Sequence, residues 1–310
     1  MPTFNDGKLS WMIGGEAGYG IMQAGMVFAK TLMRSGLHVF LSSEYPSLIR
    51  GGNNTSLVIA SPEKIRSPAA ATDFLVALNE ETISLHSPSL SQQSGLIYDG
   101  DFIKPKLPRG KNAELYSFPL LKLAEQAGGE KITRNTVALG ASAGLLDCDF
   151  PILEQLLVKT FKHEAAETNV KAAKLGFDFA RENYPKGFEK KSLLKTAPVQ
   201  GGRILASGNE GISIGAIKAG CKFAAIYPMT PINSILGFLA ENELKYDIVV
   251  KQPEDEIAGV NMAIGASYAG VRSMVATSGG GFSLMVEAVG MAGMSENPLV
   301  VVLGQRGGPS

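Results

Sequence analysis

Three carboxylates, Glu254, Asp255 and Glu256, stand at the head of a run of small and apolar residues, Ile-Ala-Gly-Val-Asn-Met-Ala-Ile-Gly-Ala. Acids at the start of a helix complement its dipole, and that alone accounts for all three. Glu256, however, leads directly into the apolar stretch. A carboxylate at such an edge is costly unless a dedicated hydrogen-bond partner meets it. Upstream, Tyr227-Pro-Met-Thr-Pro-Ile-Asn-Ser follows an apolar run. There Thr230 either caps a helix opened by Pro231 or hydrogen-bonds a substrate. Thr277-Ser-Gly-Gly-Gly-Phe-Ser ends another apolar run in three glycines, Gly279, Gly280 and Gly281. Three in succession suit a very sharp turn or close backbone approach to a ligand, with Ser278 beside it. Gln305-Arg306 ends a third run, and the planar fork of Arg306 suits a carboxylate.

A second glycine cluster lies near the start, in Ile13-Gly-Gly-Glu-Ala-Gly-Tyr-Gly-Ile. Gly15, Gly18 and Gly20 are spaced GxxGxG, not the GxGxxG of dinucleotide sites, which argues against independent NAD binding. Two readings remain open: a phosphate-bearing ligand or subunit contact at a helix N-terminus, and plain tight strand–helix packing. Arg50, in Glu44-Tyr-Pro-Ser-Leu-Ile-Arg-Gly-Gly, either clamps a phosphate or carboxylate or sits on the surface of a β-hairpin.

The elements that must position these residues alternate between strand-like and helix-like patterns. In the first part, apolar or β-branched runs fall at Leu9–Ile13, His38–Ser42, Thr55–Ala60, Phe74–Leu78 and Leu96–Tyr98, with helical patterns at Ile21–Ser35, Thr136–Leu146, Pro151–Lys162 and Glu164–Arg181. Such alternation predicts an α/β fold with a parallel or mixed sheet. The pattern breaks in a polar stretch containing Pro185, Gly187, Pro198, Gly201 and Gly202, which reads as a linker. The expected division is residues 1–184, a linker at 185–202, and a second α/β domain at 203–310. In that domain strands are expected at Ile204–Ser207, Phe223–Ile226, Ile248–Lys251, Met274–Thr277 and Leu299–Leu303, with helices starting near Glu210, Pro231, Glu256 and Phe282. That is a small doubly wound sheet, whose ligands sit at the strand C-termini. The chain stops directly after such a strand, so a fragment of a longer polypeptide is expected.

Composition narrows the function classes. The 29 Lys+Arg balance 29 Asp+Glu, and 45% of the 310 residues are hydrophobic. Zero formal net charge argues against broad capture of nucleic acid or anionic membrane. No apolar run approaches membrane-spanning length, and no basic-then-apolar leader is visible, so a cytoplasmic protein is expected. Only two cysteines, Cys148 and Cys221, and three scattered histidines are present. These cannot make a disulfide framework or a complete cysteine-ligated iron–sulfur cluster, so any cluster would belong to another chain.

Taken together, Tyr227-Pro-Met-Thr-Pro, Glu254-Asp-Glu-Ile-Ala-Gly-Val-Asn-Met-Ala-Ile-Gly-Ala, Thr277-Ser-Gly-Gly-Gly-Phe-Ser and Gln305-Arg-Gly-Gly-Pro-Ser resemble the 2-oxoacid:ferredoxin oxidoreductases. Glu44-Tyr-Pro-Ser-Leu-Ile-Arg-Gly-Gly and Asn135-Thr-Val-Ala-Leu-Gly look like the family's γ portion. The resemblance implies a γ-type α/β domain fused ahead of a thiamine-diphosphate pyrimidine-binding domain, in an α subunit of the 2-oxoglutarate type. It implies that Glu256, placed ahead of Gly265, meets N1′ of the cofactor's aminopyrimidine, with Glu254 the second choice. A carboxyl group there promotes the tautomer whose nitrogen removes the thiazolium C2 proton. Thr230 and Arg306 match substrate contacts, and Ser278, Gly279, Gly280, Gly15, Gly18, Gly20 and Arg50 are the expected cofactor-binding positions. A β chain is implied to hold most of the thiamine diphosphate, its Mg²⁺ and a [4Fe–4S] cluster. Coenzyme A is the implied co-substrate, ferredoxin the acceptor, and an αβ heterodimer or its dimer the assembly. Met229 stands where isoleucine is commoner, a change expected to affect packing only. Pyruvate or broad 2-oxoacid use is the alternative within the family. A non-catalytic nucleotide- or CoA-binding module, or a structural assembly unit, is the alternative outside it.

Overall fold

The computed structural model describes residues 7–44, 52–68, 71–188 and 203–305. The chain divides into two units, Met1–Leu205 and Ala206–Ser310.

The first unit is built on a six-stranded mixed sheet of β1 (Leu9–Glu16), β2 (His38–Glu44), β3 (Asn53–Ser61), β4 (Thr72–Ala77), β5 (Leu90–Asp99) and β6 (Ala113–Phe118), in the order β2-β3-β1-β4-β5-β6. Strands β1, β4, β5 and β6 run parallel, while β3 is antiparallel to both β1 and β2. Successive strand residues point to opposite faces. Accordingly Trp11, Ile13, Phe74 and Val76 enter a large core, whereas Met12, Leu75, Ala77 and Leu96 enter a thinner one. The large core is closed by α1 (Ile21–Arg34), α4 (Arg134–Leu145), α5 (Phe150–Thr160) and α6 (Glu164–Asn183). Ile83 of α2 (Glu80–His86) and Ile103 cover the thinner one. The short α3 (Leu120–Gln126) precedes α4. Trp11 reaches the centre of the large core with its indole N–H satisfied, donating to Ser142 Oγ at 3.0 Å.

Five predicted strands and four predicted helices are found here with ends shifted by a few residues. Strand β6 and helices α2 and α3 were not foreseen. The first unit's packing runs on past Tyr184, whose hydroxyl bonds to both Ser117 N and Ser117 O, to Phe188, which is fully buried against Phe74. Aromatic packing carries the chain past Pro185 and Gly187, whose turn the sequence did signal.

The second unit holds β7 (Phe223–Ala225), β8 (Val249–Lys251), β9 (Ser273–Thr277) and β10 (Val300–Leu303), all parallel, in the order β10-β9-β7-β8. Ala224, Met274, Ala276 and Val302 face one core, with Ala216 and Ile217 of α7 (Gly208–Lys218) and Ile235 and Leu239 of α8 (Asn233–Glu241). Val275 and Val301 face the other, with Val260, Ala263 and Ile264 of α10 (Glu256–Tyr268) and Met285 and Ala292 of α11 (Gly279–Met294). Helices on both faces make this a doubly wound sheet, as the sequence pattern implied. A short turn of helix, α9 (Glu243–Tyr246), follows α8.

One predicted strand is absent: residues 203–207 form no strand among the described residues. Instead Ser207 caps α7, exchanging bonds with Glu210 in a capping box, and Ile204 lies exposed. Two helix starts also shift. Helix α8 begins at Asn233, after Pro231, and α11 begins at Gly279, before Phe282.

Helices α4 and α6 cross so closely that a Cβ on Gly140 would lie 1.8 Å from the backbone oxygen of Ala173. Gly215 of α7 has nothing within 4 Å of its would-be Cβ. Alanine is the better helix former by about 1 kcal/mol, so the two sites should respond with opposite signs. Gly215→Ala should raise the urea midpoint, whereas Gly140→Ala should lower it by an overpacking cost of about 1–3 kcal/mol. Equilibrium unfolding of the two variants checks this.

Candidate active site

Parallel strands deliver their C-terminal ends to one edge of the second unit's sheet, and the loops after β7, β9 and β10 meet there. The backbone N–H of Gly304 donates to Thr277 O at 2.9 Å. A Cβ on Gly304 would come within 2.4 Å of Ile232 and 3.3 Å of Pro231, so the end of β10 lies against the turn that follows β7. That turn contains a cis peptide between Thr230 and Pro231. The Ser278 hydroxyl meets the sulfur of Met229, tying the loop after β9 to the loop after β7.

The three acids at the head of α10 have distinct fates. Glu254 is exposed. Asp255 is the helix cap, its carboxylate accepting the Ala258 N–H at 2.7 Å. Glu256 is only 4% exposed, and its Oε1 is buried with no hydrogen-bond partner. The helix-dipole explanation suffices for the first two, but it does not explain burying the third. Burying a carboxyl oxygen unpaired costs at least about 1–3 kcal/mol, and more when it is charged.

Beside it stands a second orphan. Thr277, the last residue of β9, is fully buried, and its hydroxyl also lacks a partner. A Cβ on Gly281 would lie 2.0 Å from Thr277 Oγ1 and 2.6 Å from Glu256 Oε1, so only glycine fits there. Gly279 and Gly280 meet no such obstacle; their would-be Cβ atoms have nothing within 4 Å. The three glycines form the first turn of α11 rather than a loop ahead of it, with Ser278 at the N-cap position. The first N–H groups of a helix have no intrahelical acceptor, so this turn presents free donors at the strand ends. A buried unpaired carboxyl oxygen, a buried unpaired hydroxyl and a glycine turn with free N–H groups fit a polar aromatic ring bearing an anionic tail.

The sequence points to this edge of the sheet, but it does not single out Thr277 or Gly281. A threonine closing the apolar run Met-Val-Ala is the one signal that marked it. Arg306 and Arg50 lie outside the described residues. In the first unit, Gly15 and Gly20 are explained by packing: their would-be Cβ atoms reach Leu78 at 3.1 Å and the Asn135 amide at 2.7 Å. Gly20 also has φ 67°, and the Asn135 amide donates to Tyr19 O at 2.7 Å. Gly18 alone is open to solvent. A cleft of about 350 Å³ lies at the ends of β1, β4 and β5, lined by Glu16, Tyr19, Asn79, Glu80 and Phe102 among others. Lys131 and Arg134 also line it, each cation about 5 Å from the Tyr19 ring centre.

Among the described residues, no group of three His, Cys, Asp or Glu side chains could hold a metal ion, and no helix is long and apolar enough to cross a membrane. Burial pushes the Cys148 thiol up to about 12 and raises that of Cys221 as well.

Thr230 is exposed, and α8 has Ile232 at its cap position with no side-chain cap bond, so Thr230 is not the cap that its Thr-Pro sequence suggested. Thr230→Ala should therefore change stability by less than about 0.5 kcal/mol, not the ~0.5–2 kcal/mol of a lost cap. Thermal unfolding of the variant checks this.

Comparison with known proteins agrees with this geometry. The model of the pyruvate ferredoxin/flavodoxin oxidoreductase family matches residues 10–179. The family's thiamine-diphosphate-binding model matches residues 214–310. The 2-oxoacid:ferredoxin oxidoreductase subunit alpha of Saccharolobus solfataricus is 31% identical, over 98% of this chain and 55% of its own length. The 2-oxoglutarate synthase subunit KorA of Methanocaldococcus jannaschii is 52% identical, over 33% of this chain and 28% of its own. Among solved structures, the 2-oxoglutarate:ferredoxin oxidoreductase of Magnetococcus marinus, with 2-oxoglutarate, coenzyme A and succinyl-CoA bound, superposes with a TM-score of 0.84 at 32% identity, covering 99% of this chain and 54% of that one. A keto/oxoacid ferredoxin oxidoreductase γ subunit from Geobacter sulfurreducens gives a TM-score of 0.50 at 28% identity, covering 57% of this chain and 98% of that one. The chain spans about half the length of the curated relatives it matches first. A γ-like unit followed by a thiamine-diphosphate-binding unit, matched by family models along most of the chain, makes this protein a member of the pyruvate ferredoxin/flavodoxin oxidoreductase family.

Proposed function

We propose that this chain serves as the γ–α portion of an α subunit whose complete enzyme oxidatively decarboxylates a 2-oxoacid. The products are an acyl-CoA, CO₂ and two electrons passed singly to ferredoxin. 2-Oxoglutarate is the first choice of substrate, supported by the KorA relative and the Magnetococcus structure. Pyruvate and broad 2-oxoacid use are the alternatives.

The observation that carries this reading is Glu256, a carboxyl group buried at the strand ends although the capping bond of its helix is made by Asp255 instead. Thiamine diphosphate, when bound with Mg²⁺, supplies the nucleophilic carbon for such chemistry. This chain's part is to bind and orient. Glu256 holds a proton between its carboxyl group and N1′ of the pyrimidine ring. Ser278, Gly279 and Gly280 offer backbone N–H groups and unobstructed space beside that ring. Thr230, on the neighbouring loop, is assigned with Arg306 to the substrate's oxo and carboxylate groups.

The remaining parts are assigned to a β chain that holds most of the diphosphate, its Mg²⁺ and a [4Fe–4S] cluster. The outer faces of α10 and α11 support such a partner. Ile257 and Met262 on α10, with Leu284, Val286, Met291 and Met294 on α11, are exposed in this chain, an apolar surface of the kind that partners cover. An αβ heterodimer or its dimer is the assembly this implies. The cleft lined by Lys131 and Arg134 in the first unit, along with Glu16 and Glu80, is assigned to coenzyme A, with the two cations directed at its phosphates. A non-catalytic CoA-binding module or structural unit would share that cleft but leaves the buried Glu256 oxygen without a purpose.

Glu256→Gln tests the reading in the full-length subunit with its partner. Binding of thiamine diphosphate should stay largely intact, while exchange of its C2 proton slows by about 10²–10⁴-fold. Exchange within a few-fold of wild type would return Glu256 to a helix-dipole role and remove it from the mechanism.

A further inference from the structure

We propose that Thr277 is a positioning residue for Glu256, its hydroxyl donating to Oε1 of the carboxyl group beside the space that Gly281 keeps free of a side chain. This rests on the thiamine diphosphate reading of Glu256 and adds to it the group that aims the carboxyl.

The two orphaned atoms are complementary. A threonine hydroxyl can donate, and a carboxylate oxygen can only accept. Both crowd a single point, the would-be Cβ of Gly281, at 2.0 and 2.6 Å. The gap between them therefore cannot exceed the sum of those lengths. The backbone of Thr277 is fixed: β9 lies between β10 and β7, and Thr277 O accepts the Gly304 N–H. The neighbouring hydroxyl, Ser278 Oγ, is already engaged by the Met229 sulfur. Thr277 is then the buried, uncommitted donor beside Glu256.

The bond matters because the terminal torsion of a glutamate is broad and does not hold the carboxyl plane by itself. One oxygen pinned by Thr277 leaves the other directed at the ring nitrogen. Gly281 belongs to the same device, since any larger residue would push the hydroxyl and the carboxyl group apart. This gives the third glycine of the run a purpose different from that of Gly279 and Gly280.

The test uses the full-length subunit with its partner, thiamine diphosphate and Mg²⁺, and compares Thr277→Val, Thr277→Ser, Glu256→Gln and the Thr277→Val/Glu256→Gln double variant. Thr277→Val should slow C2 proton exchange by about tenfold, the scale of one hydrogen bond to a charged group. Thiamine diphosphate affinity should remain within about twofold of wild type. Thr277→Ser should restore exchange, and the double variant should be no slower than Glu256→Gln. The near-ultraviolet circular dichroism of the bound cofactor, which reports the tautomer of its aminopyrimidine, should change in Thr277→Val and Glu256→Gln but not in Thr277→Ser. Should Thr277→Val fail to fold, Thr277→Ala replaces it in every comparison. Wild-type exchange in the hydroxyl-free variant, or equal slowing in Thr277→Ser, would overturn the positioning role while leaving that of Glu256 intact. If Glu256→Gln itself exchanges normally, the reading of the site falls and the positioning role with it.

Discussion

An ionisable side chain placed where water cannot reach it, with one oxygen bonded to nothing, is the constraint around which the second unit is arranged. Glu256 sits there at the head of α10, beside the equally unpaired hydroxyl of Thr277. Leaving two such groups unsatisfied costs a fold free energy on the scale of one or two of its better contacts. Asp255 takes the capping bond that Glu256 could have made, and Gly281 gives both orphans room without supplying a partner. Strained or unsatisfied groups of this kind cluster at functional sites, where an incoming molecule completes them.

The sheet explains why these residues meet. Because β7, β9 and β10 are parallel, their C-terminal ends share an edge, and residues distant in sequence become neighbours. Gly304 closes on Pro231 and Ile232, Ser278 on Met229, and Gly281 on Thr277 and Glu256. The first unit follows the same rule with different furniture. Its parallel strands end at a cleft beside the Tyr19 ring, lined by Lys131 and Arg134 and by Glu16 and Glu80. There Gly15 and Gly20 are explained by steric fit to Leu78 and Asn135.

Much of this was legible in the residue pattern, because β-branched and apolar runs separated by helical periodicity report layers and faces directly. Most strands of both sheets and the turn from β9 into α11 could be read that way. What could not be read was burial at single positions. Glu254, Asp255 and Glu256 are three acids in a row, and only the fold separates an exposed one, a cap and a buried one. Thr-Pro is a good helix-start signature, yet α8 begins at Asn233 and Thr230 caps nothing. Ile204–Ser207 has strand composition, but Ser207 and Glu210 form a capping box that draws the segment into a helix start. Thr277 was passed over because a hydroxyl at the end of a strand is commonplace until its neighbours are known.

The central claim is that the Glu256 carboxyl group is buried in order to meet a ring nitrogen of thiamine diphosphate. An experimental structure of the full-length subunit with its partner and the bound cofactor measures this directly. The account predicts a Glu256 oxygen within hydrogen-bonding distance of the pyrimidine N1′, about 2.6–3.0 Å. A pyrimidine ring held against Glu254, or bound away from the ends of β7 and β9 with neither Glu256 oxygen near it, would contradict it.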